Sequence, residues 1–231
     1  MDISTCWFKG NCPREKKSGC KSYCSIFQEF DYLINNSNIP ADYMQSKTLY
    51  PMDVDYEAFT TLKQIQLDID NFVKDGRTLY LWSTQLGNGK SSWAVKLLKT
   101  FLAVRCVGNN FKDLAYFIYA PTFLLDMKNF SKQEERNELM ESVMNRELVV
   151  IDDLGAVQGS QYDLTNLSAL IDKRYSSGLA TIYTSNLSVD NLDSCIGSRL
   201  ADRVASDIVI EFKGTSRRSY TNTYSKKGTN E

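Results

Sequence analysis

The chain has 231 residues, of which 42% are hydrophobic and 12% aromatic, enough for one large domain or one domain with a small appendage, and too many for a disordered chain. Its net charge of −1 gives no basis for avid nucleic-acid binding by the molecule as a whole, so any such surface must be local. No apolar run approaches the ~18 residues of a membrane span, and the N-terminus lacks a signal-peptide core. The expected location is the cytoplasm, without a membrane partner, and there the six cysteines are thiols or ligands, not disulfides.

Four of the cysteines, Cys6, Cys12, Cys20 and Cys24, open the chain in "CWFKGNCPREKKSGCKSYC". They form a candidate tetrahedral thiolate site, most simply for zinc, because four soft charged ligands close the ion's shell. The chain has no histidine to share the task. The spacing differs from the paired C-x2-C ribbon, which leaves an iron–sulfur cluster as the other option. Lys9, Arg14, Lys16, Lys17 and Lys21 would offset thiolate charge or touch a partner; the plainer reading is a solvated surface. So short a segment buries little core, making the metal its main fold determinant.

Next, "SIFQEFDYLINNSNIPADYMQ" predicts a short apolar helix ended by Asn35, Asn36 and Pro40. Residues 37–55 read as a connection with Pro40 and Pro51, and a domain boundary is placed near residue 50. The expected domains are 1–50, a cysteine-rich module with its linker, and 51–231. Phe59, Leu62, Ile65, Ile69, Phe72 and Val73 then recur at helical spacing up to Gly76. From residue 78, strand-like runs at 78–82, 115–120, 147–151, 180–185 and 207–212 alternate with helical stretches at 90–107, 121–129, 132–145, 163–177 and 188–205. Such alternation predicts an α/β fold, a five-stranded parallel sheet flanked by helices, with ligands beyond the carboxyl ends of the strands.

The first strand runs into "STQLGNGKSS". A phosphate-binding loop aims backbone N–H groups and a helix N-terminus at phosphates. Gly87 and Gly89 stand where side chains would obstruct that approach, with Asn88 between them. Lys90 supplies a cation to the β- and γ-phosphates, Ser91 a hydroxyl for Mg²⁺, and Ser92 continues the loop into the helix. The first expected glycine is absent, its place taken by Thr84. That change reshapes the turn without removing a phosphate contact.

In "LVVIDDLG" a buried strand delivers Asp152 and Asp153 to its exit. Asp152 is the expected magnesium ligand and Asp153 the residue that polarises the attacking water. A third strand, "TIYTSN", ends at Asn186, whose amide is suited to position water or the γ-phosphate. Taken singly, adjacent acids at a strand end are as often a solvated turn, and an asparagine there is ordinarily a turn residue or cap. Their conjunction with the loop favours the site.

Together "STQLGNGKS", "LVVIDDLG", "TIYTSN", "IGSRLADRV" and the G-x-S-x-R pattern in "GTSRRS" resemble, in the same order, AAA+ ATPases of the DnaC/DnaI type. Those proteins are bacterial and phage replicative helicase loaders, with IstB-like transposition ATPases as close relatives. The resemblance spans residues 56–220, the P-loop AAA+ core. It implies ATP/ADP, Mg²⁺ and Zn²⁺ as cofactors and, as partners, a DnaB-type helicase, single-stranded DNA and further copies of the chain. It implies Asn186 as sensor 1, Arg203 as an arginine finger acting in trans with Arg199 as helper, and Arg218 as sensor 2. For each arginine the alternative is a surface salt bridge.

The family commonly carries an N-terminal helicase-binding domain, zinc-bound in DnaI-like members, where the cysteine cluster stands here. Asp153 replaces the glutamate of many AAA+ proteins, which predicts slow hydrolysis and a role as a nucleotide switch. The function implied is ATP-dependent loading of a hexameric helicase onto single-stranded DNA. The alternative is an IstB-like regulator of transposition. A small-molecule P-loop kinase is a third class, against which the pattern of Arg203 and Arg218 argues.

Overall fold

The computed structural model describes residue 6, residue 8 and residues 24–44, 49–129, 133–156 and 161–217. Five strands, β1 (Thr78–Trp82), β2 (Ala115–Tyr119), β3 (Leu148–Asp152), β4 (Ala180–Ser185) and β5 (Ile208–Glu211), pair in parallel in the order β2-β3-β4-β1-β5. All five expected strands occur, β1 and β4 with the expected bounds and the other three with ends that shift by a residue. Asp152 is itself the last residue of β3, and Ala120 already opens a helix.

Both faces of the sheet are apolar, as a parallel sheet requires. Leu79, Leu81, Val150 and Ile182 point to one face; Tyr80, Val149, Ile151 and Tyr183 point to the other. The first face is covered by α1 (Ser25–Asn35), α2 (Tyr56–Leu67), α3 (Ile69–Lys74) and α4 (Lys90–Arg105). The second is covered by α5 (Ala120–Asn129), α6 (Gln133–Met144), α7 (Gln161–Ser176), α8 (Val189–Ile196) and α9 (Ser198–Val204).

Two expected helices are broken. The run through Val73 divides at Asp68 (φ −115°, ψ 30°), where the Asn71 side-chain amide donates to the Asp68 carboxylate at 2.7 Å across the break. The stretch 188–205 divides at Gly197 (φ 87°), where the chain turns α9 away from α8. Apolar spacing continues through both breaks, so periodicity alone does not reveal them.

The segment before residue 50 packs on the same core. Ile26, Phe30, Leu33 and Ile39 share a hydrophobic cluster with Trp93, Leu97 and Phe117. Ser37 O accepts the Phe117 N–H at 2.8 Å, and the Asn38 amide donates to Phe117 O at 2.9 Å, so this segment covers the outer edge of β2. From α4, Lys99 donates to the Tyr43 and Met44 carbonyls, fixing the linker beside the start of that helix. Burial pushes the Lys99 ammonium pKa down.

Arg174, with 0% exposure, ties the second layer together without a carboxylate partner among the described residues. Its guanidinium donates to the carbonyls of Val143, Arg146 and Ala180 and to Thr181 Oγ1. It closes the end of α6 against the start of β4.

Candidate functional site

The site lies beyond the carboxyl ends of β1, β3 and β4. Between β1 and α4 the loop is closed from inside by Ser83 Oγ, which accepts the Gln85 N–H at 3.0 Å and the Asn88 amide at 2.6 Å. This buried hydroxyl organises the turn that lacks its first glycine, and Thr84 needs no positive φ. Gly87 (φ 73°) and Gly89 (φ 107°) do, in a region that costs an L side chain strain. Asn88 is 0% exposed, so it belongs to the loop's interior.

Lys90 begins α4 with its ammonium on Gln85 O (3.1 Å) and Asn88 Oδ1 (3.2 Å). No carboxylate among the described residues lies within ion-pair distance of it. Burial pushes its pKa down, while Asp153 and Asp152 pull it back up. A half-desolvated cation at a helix N-terminus is suited to an anionic ligand. Gly87, Asn88, Gly89, Lys90, Ser91 and Ser92 line a cleft of about 650 Å³, completed by Asp42, Tyr43, Leu49, Tyr50 and Arg217.

Opposite the loop, Asp152 is 5% exposed and accepts the Thr184 hydroxyl at 2.6 Å. Burial pushes its carboxyl pKa up, opposed by the Thr184 and Ser91 hydroxyls and the Lys90 charge. Asp153 sits in the left-handed region (φ 62°), its N–H on Thr184 Oγ1 at 3.0 Å, and the Tyr119 hydroxyl donates to its carboxylate at 3.4 Å. The donor set fits a polyphosphate with a divalent cation: an ammonium hydrogen-bonded to two carbonyl oxygens stands near a buried carboxylate with a hydroxyl beside it.

Asn186 follows β4, and its buried Oδ1 has no hydrogen-bond partner among the described residues. Gly155, in the turn after the two acids, lies so close that a Cβ there would meet that oxygen at 2.1 Å. Lys90, Ser91, Asp152, Asp153 and Asn186 are thus gathered at one end of the sheet.

The arginines are arranged otherwise. Arg203 and Arg199, both on α9, pair with Asp172 of α7 in the same chain, one on each carboxylate oxygen. The Arg203 guanidinium also lies 5.3 Å from the Tyr175 ring. Arg218 lies outside the described residues. Its neighbour Arg217 lines the cleft: its N–H donates to Gly87 O at 2.8 Å and its Nε to Asn88 O at 2.7 Å. The same guanidinium reaches Tyr50 O and approaches Asp55, a fully buried carboxylate that accepts the N–H groups of Lys213 (2.7 Å) and Gly214 (3.0 Å).

Arg217, Thr184, Tyr119 and Gly155 were not singled out from the sequence. "GTSRRS" offers two adjacent arginines, and nothing local says which one faces the loop. Of the four clustered cysteines, Cys12 and Cys20 lie outside the described residues, while Cys6 and Cys24 are half-buried free thiols. Among the described residues no three metal-ligating side chains converge, and no helix is long and apolar enough to cross a membrane.

The family model of the IstB-like ATP binding protein matches residues 34–224. Among solved structures, the chain is similar to one described as the DnaC helicase loader, with 22% identity, a TM-score of 0.62, and coverage of 75% of this chain and 100% of that one. It is similar to DnaI at 20% identity, with a TM-score of 0.60 and coverage of 78% and 95%. A primosome component from Streptococcus pyogenes serotype M3, described as putative, matches at 23% identity with a TM-score of 0.56 and coverage of 78% and 93%. An AMPPCP-bound DnaA from Aquifex aeolicus shares the fold at 18% identity, with a TM-score of 0.53 and coverage of 70% and 47%. No curated protein gives a match.

Proposed function

Because the chain belongs to the IstB-like ATP-binding family, we propose that it is an ATP-dependent AAA+ loader that places a hexameric, DnaB-type replicative helicase on single-stranded DNA. The observation that carries the ATPase reading is the Lys90 ammonium, hydrogen-bonded to Gln85 O and Asn88 Oδ1 in a cleft that Gly87, Gly89 and Ser91 also line. What supports a loader is similarity along the whole of a chain described as the DnaC helicase loader.

In this reading Lys90 and the loop N–H groups hold the β- and γ-phosphates, and Ser91 and Asp152 hold Mg²⁺. The bound cation supplies charge neutralisation at the transferred phosphoryl group. Asp153 orients the attacking water, and its short side chain makes turnover slow. Asn186 reads the γ-phosphate. Arg203, helped by Arg199, reaches the nucleotide of a neighbouring copy, and Arg218 remains the sensor of the terminal motif. The Cys6, Cys12, Cys20 and Cys24 cluster binds zinc and forms the helicase-gripping module. Exchange of ATP for ADP at the γ-phosphate contact switches the protein between loading and release.

The family match itself favours a second reading, an ATP-dependent regulator of DNA transposition. Co-purification decides between them. The loader retains a DnaB-type helicase in Mg·ATP and ignores transposase; capture of transposase alone, with no helicase bound in ATP or ADP, overturns it.

A further inference from the structure

Thr184 is 2% exposed on β4, opposite the end of β3. The parallel register pairs Ile151 with Tyr183, so the next step along both strands brings Asp152 and Thr184 side by side. The Thr184 hydroxyl donates to Asp152 Oδ1 at 2.6 Å and accepts the Asp153 N–H at 3.0 Å. A hydroxyl has one proton. With that proton committed to the Asp152 carboxylate, a lone pair is left for the Asp153 amide, so one oxygen governs both acids.

Each bond has a distinct consequence. The bond to Asp152 fixes the rotation of a buried carboxylate that the Ser91 hydroxyl also engages. The bond to Asp153 holds a non-glycine residue at φ 62°, a conformation that persists when its surroundings over-determine it. In that backbone conformation the Asp153 carboxylate accepts the Tyr119 hydroxyl at 3.4 Å.

We infer that Thr184 is a positioning residue for Mg·ATP chemistry: its hydroxyl sets the Asp152 carboxylate for the cation and the Asp153 backbone for water activation. This rests on the reading of Asp152 and Asp153 as the magnesium and water residues.

The test compares Thr184→Ser, Thr184→Ala and Thr184→Val. Ser and Ala both lose the methyl group and differ only in the hydroxyl, while Val keeps the branched shape without it. ATP affinity is measured in EDTA and in Mg²⁺, together with steady-state hydrolysis and the thermal midpoint without nucleotide. Thr184→Ser is expected to keep the Mg²⁺ enhancement of binding and the hydrolysis rate within about twofold of the parent. Ala and Val should bind ATP normally in EDTA, lose the Mg²⁺ enhancement, and hydrolyse about 10–100-fold more slowly, the scale of a small misplacement at a reacting centre.

Equal Mg²⁺ response and hydrolysis in the Ser and Ala variants overturns the inference. So does a lowered thermal midpoint in Ala and Val with normal Mg²⁺ response in the folded protein, which would leave Thr184 a packing residue. The parent reading fails separately, if Lys90→Ala binds ATP as well as the unaltered chain does.

Discussion

Gly155 leaves open the space that Asn186 fills. A Cβ on Gly155 would lie 2.1 Å from Asn186 Oδ1, 2.7 Å from Ser185 Oγ and 2.8 Å from Leu187 Cγ. The asparagine amide can rotate aside, but Leu187 Cγ is held close to its own backbone. The turn Leu154–Ala156 is therefore seated directly on the end of β4. Gly155→Ala is expected to push that turn away and cost about 1–3 kcal/mol, as overpacking does. Hydrolysis should fall as Asp153 and Asn186 separate. Denaturant unfolding and an ATPase assay check this; unchanged values in both would mean that the turn yields freely.

Lys90 contributes charge to a ligand and little to packing. Lys90→Ala should abolish tight Mg·ATP binding while the thermal midpoint without nucleotide moves little. Removing a half-desolvated cation relieves a burial cost and offsets the two lost hydrogen bonds. Titration calorimetry decides the matter, and unaltered ATP affinity rejects the phosphate loop.

Arg203 is engaged in its own chain by Asp172 and Tyr175. A trans finger would leave Asp172, which Arg199 also holds, and complete a neighbour's site. Arg203→Ala should then retain ATP binding and lose most hydrolysis, by roughly 10³-fold where the intrinsic site is poor. Mixing it with Lys90→Ala should restore part of the activity, increasingly with protein concentration. If the arginine serves only its bridge to α7, Arg203→Ala and Asp172→Ala will lower the thermal midpoint alike and mixing will restore nothing.

For the N-terminal cysteines, metal analysis should find about one zinc per chain. Serine at Cys6, Cys12, Cys20 or Cys24 should weaken helicase binding before it affects ATP binding. A metal-free preparation with full helicase affinity would remove zinc from the reading.

Asp207 predicts an acid-sensitive term in stability. Hydrogen bonds from the Arg77 guanidinium, with a smaller Coulombic share, hold its carboxyl below the usual 3.8. A depressed folded pKa makes the stabilisation fully present above 3.8 and lost as pH falls through the lower folded value. The pair is 44% and 27% exposed, so solvent screening limits it to under about 1 kcal/mol. Urea midpoints of the parent and Asp207→Asn should differ slightly at neutral pH and converge in acid; a constant difference would refute the linkage.

Strand and helix periodicity fixed the layered architecture in advance. Apolar runs such as 147–151 can be buried on both faces only in a covered parallel sheet, and such a sheet puts its ligand at the strand ends. The composition of 83–92 likewise announces a tight turn into a helix, since Gly87 and Gly89 act there through local backbone geometry. The breaks at Asp68 and Gly197 lie within continuous apolar spacing, and periodicity does not register a change in direction.

The relationships that complete the site join residues remote in sequence. Thr184 meets Asp152 across 32 positions because β3 and β4 pair in one register. Arg217 meets Asn88 across 129 because the segment after β5 crosses the loop after β1. Arg199 and Arg203 meet Asp172 because α9 turns at Gly197 onto α7. Local sequence sets the chemistry each residue brings, whereas which two groups share a hydrogen bond depends on register and helix packing, and those are set by burial of the whole core.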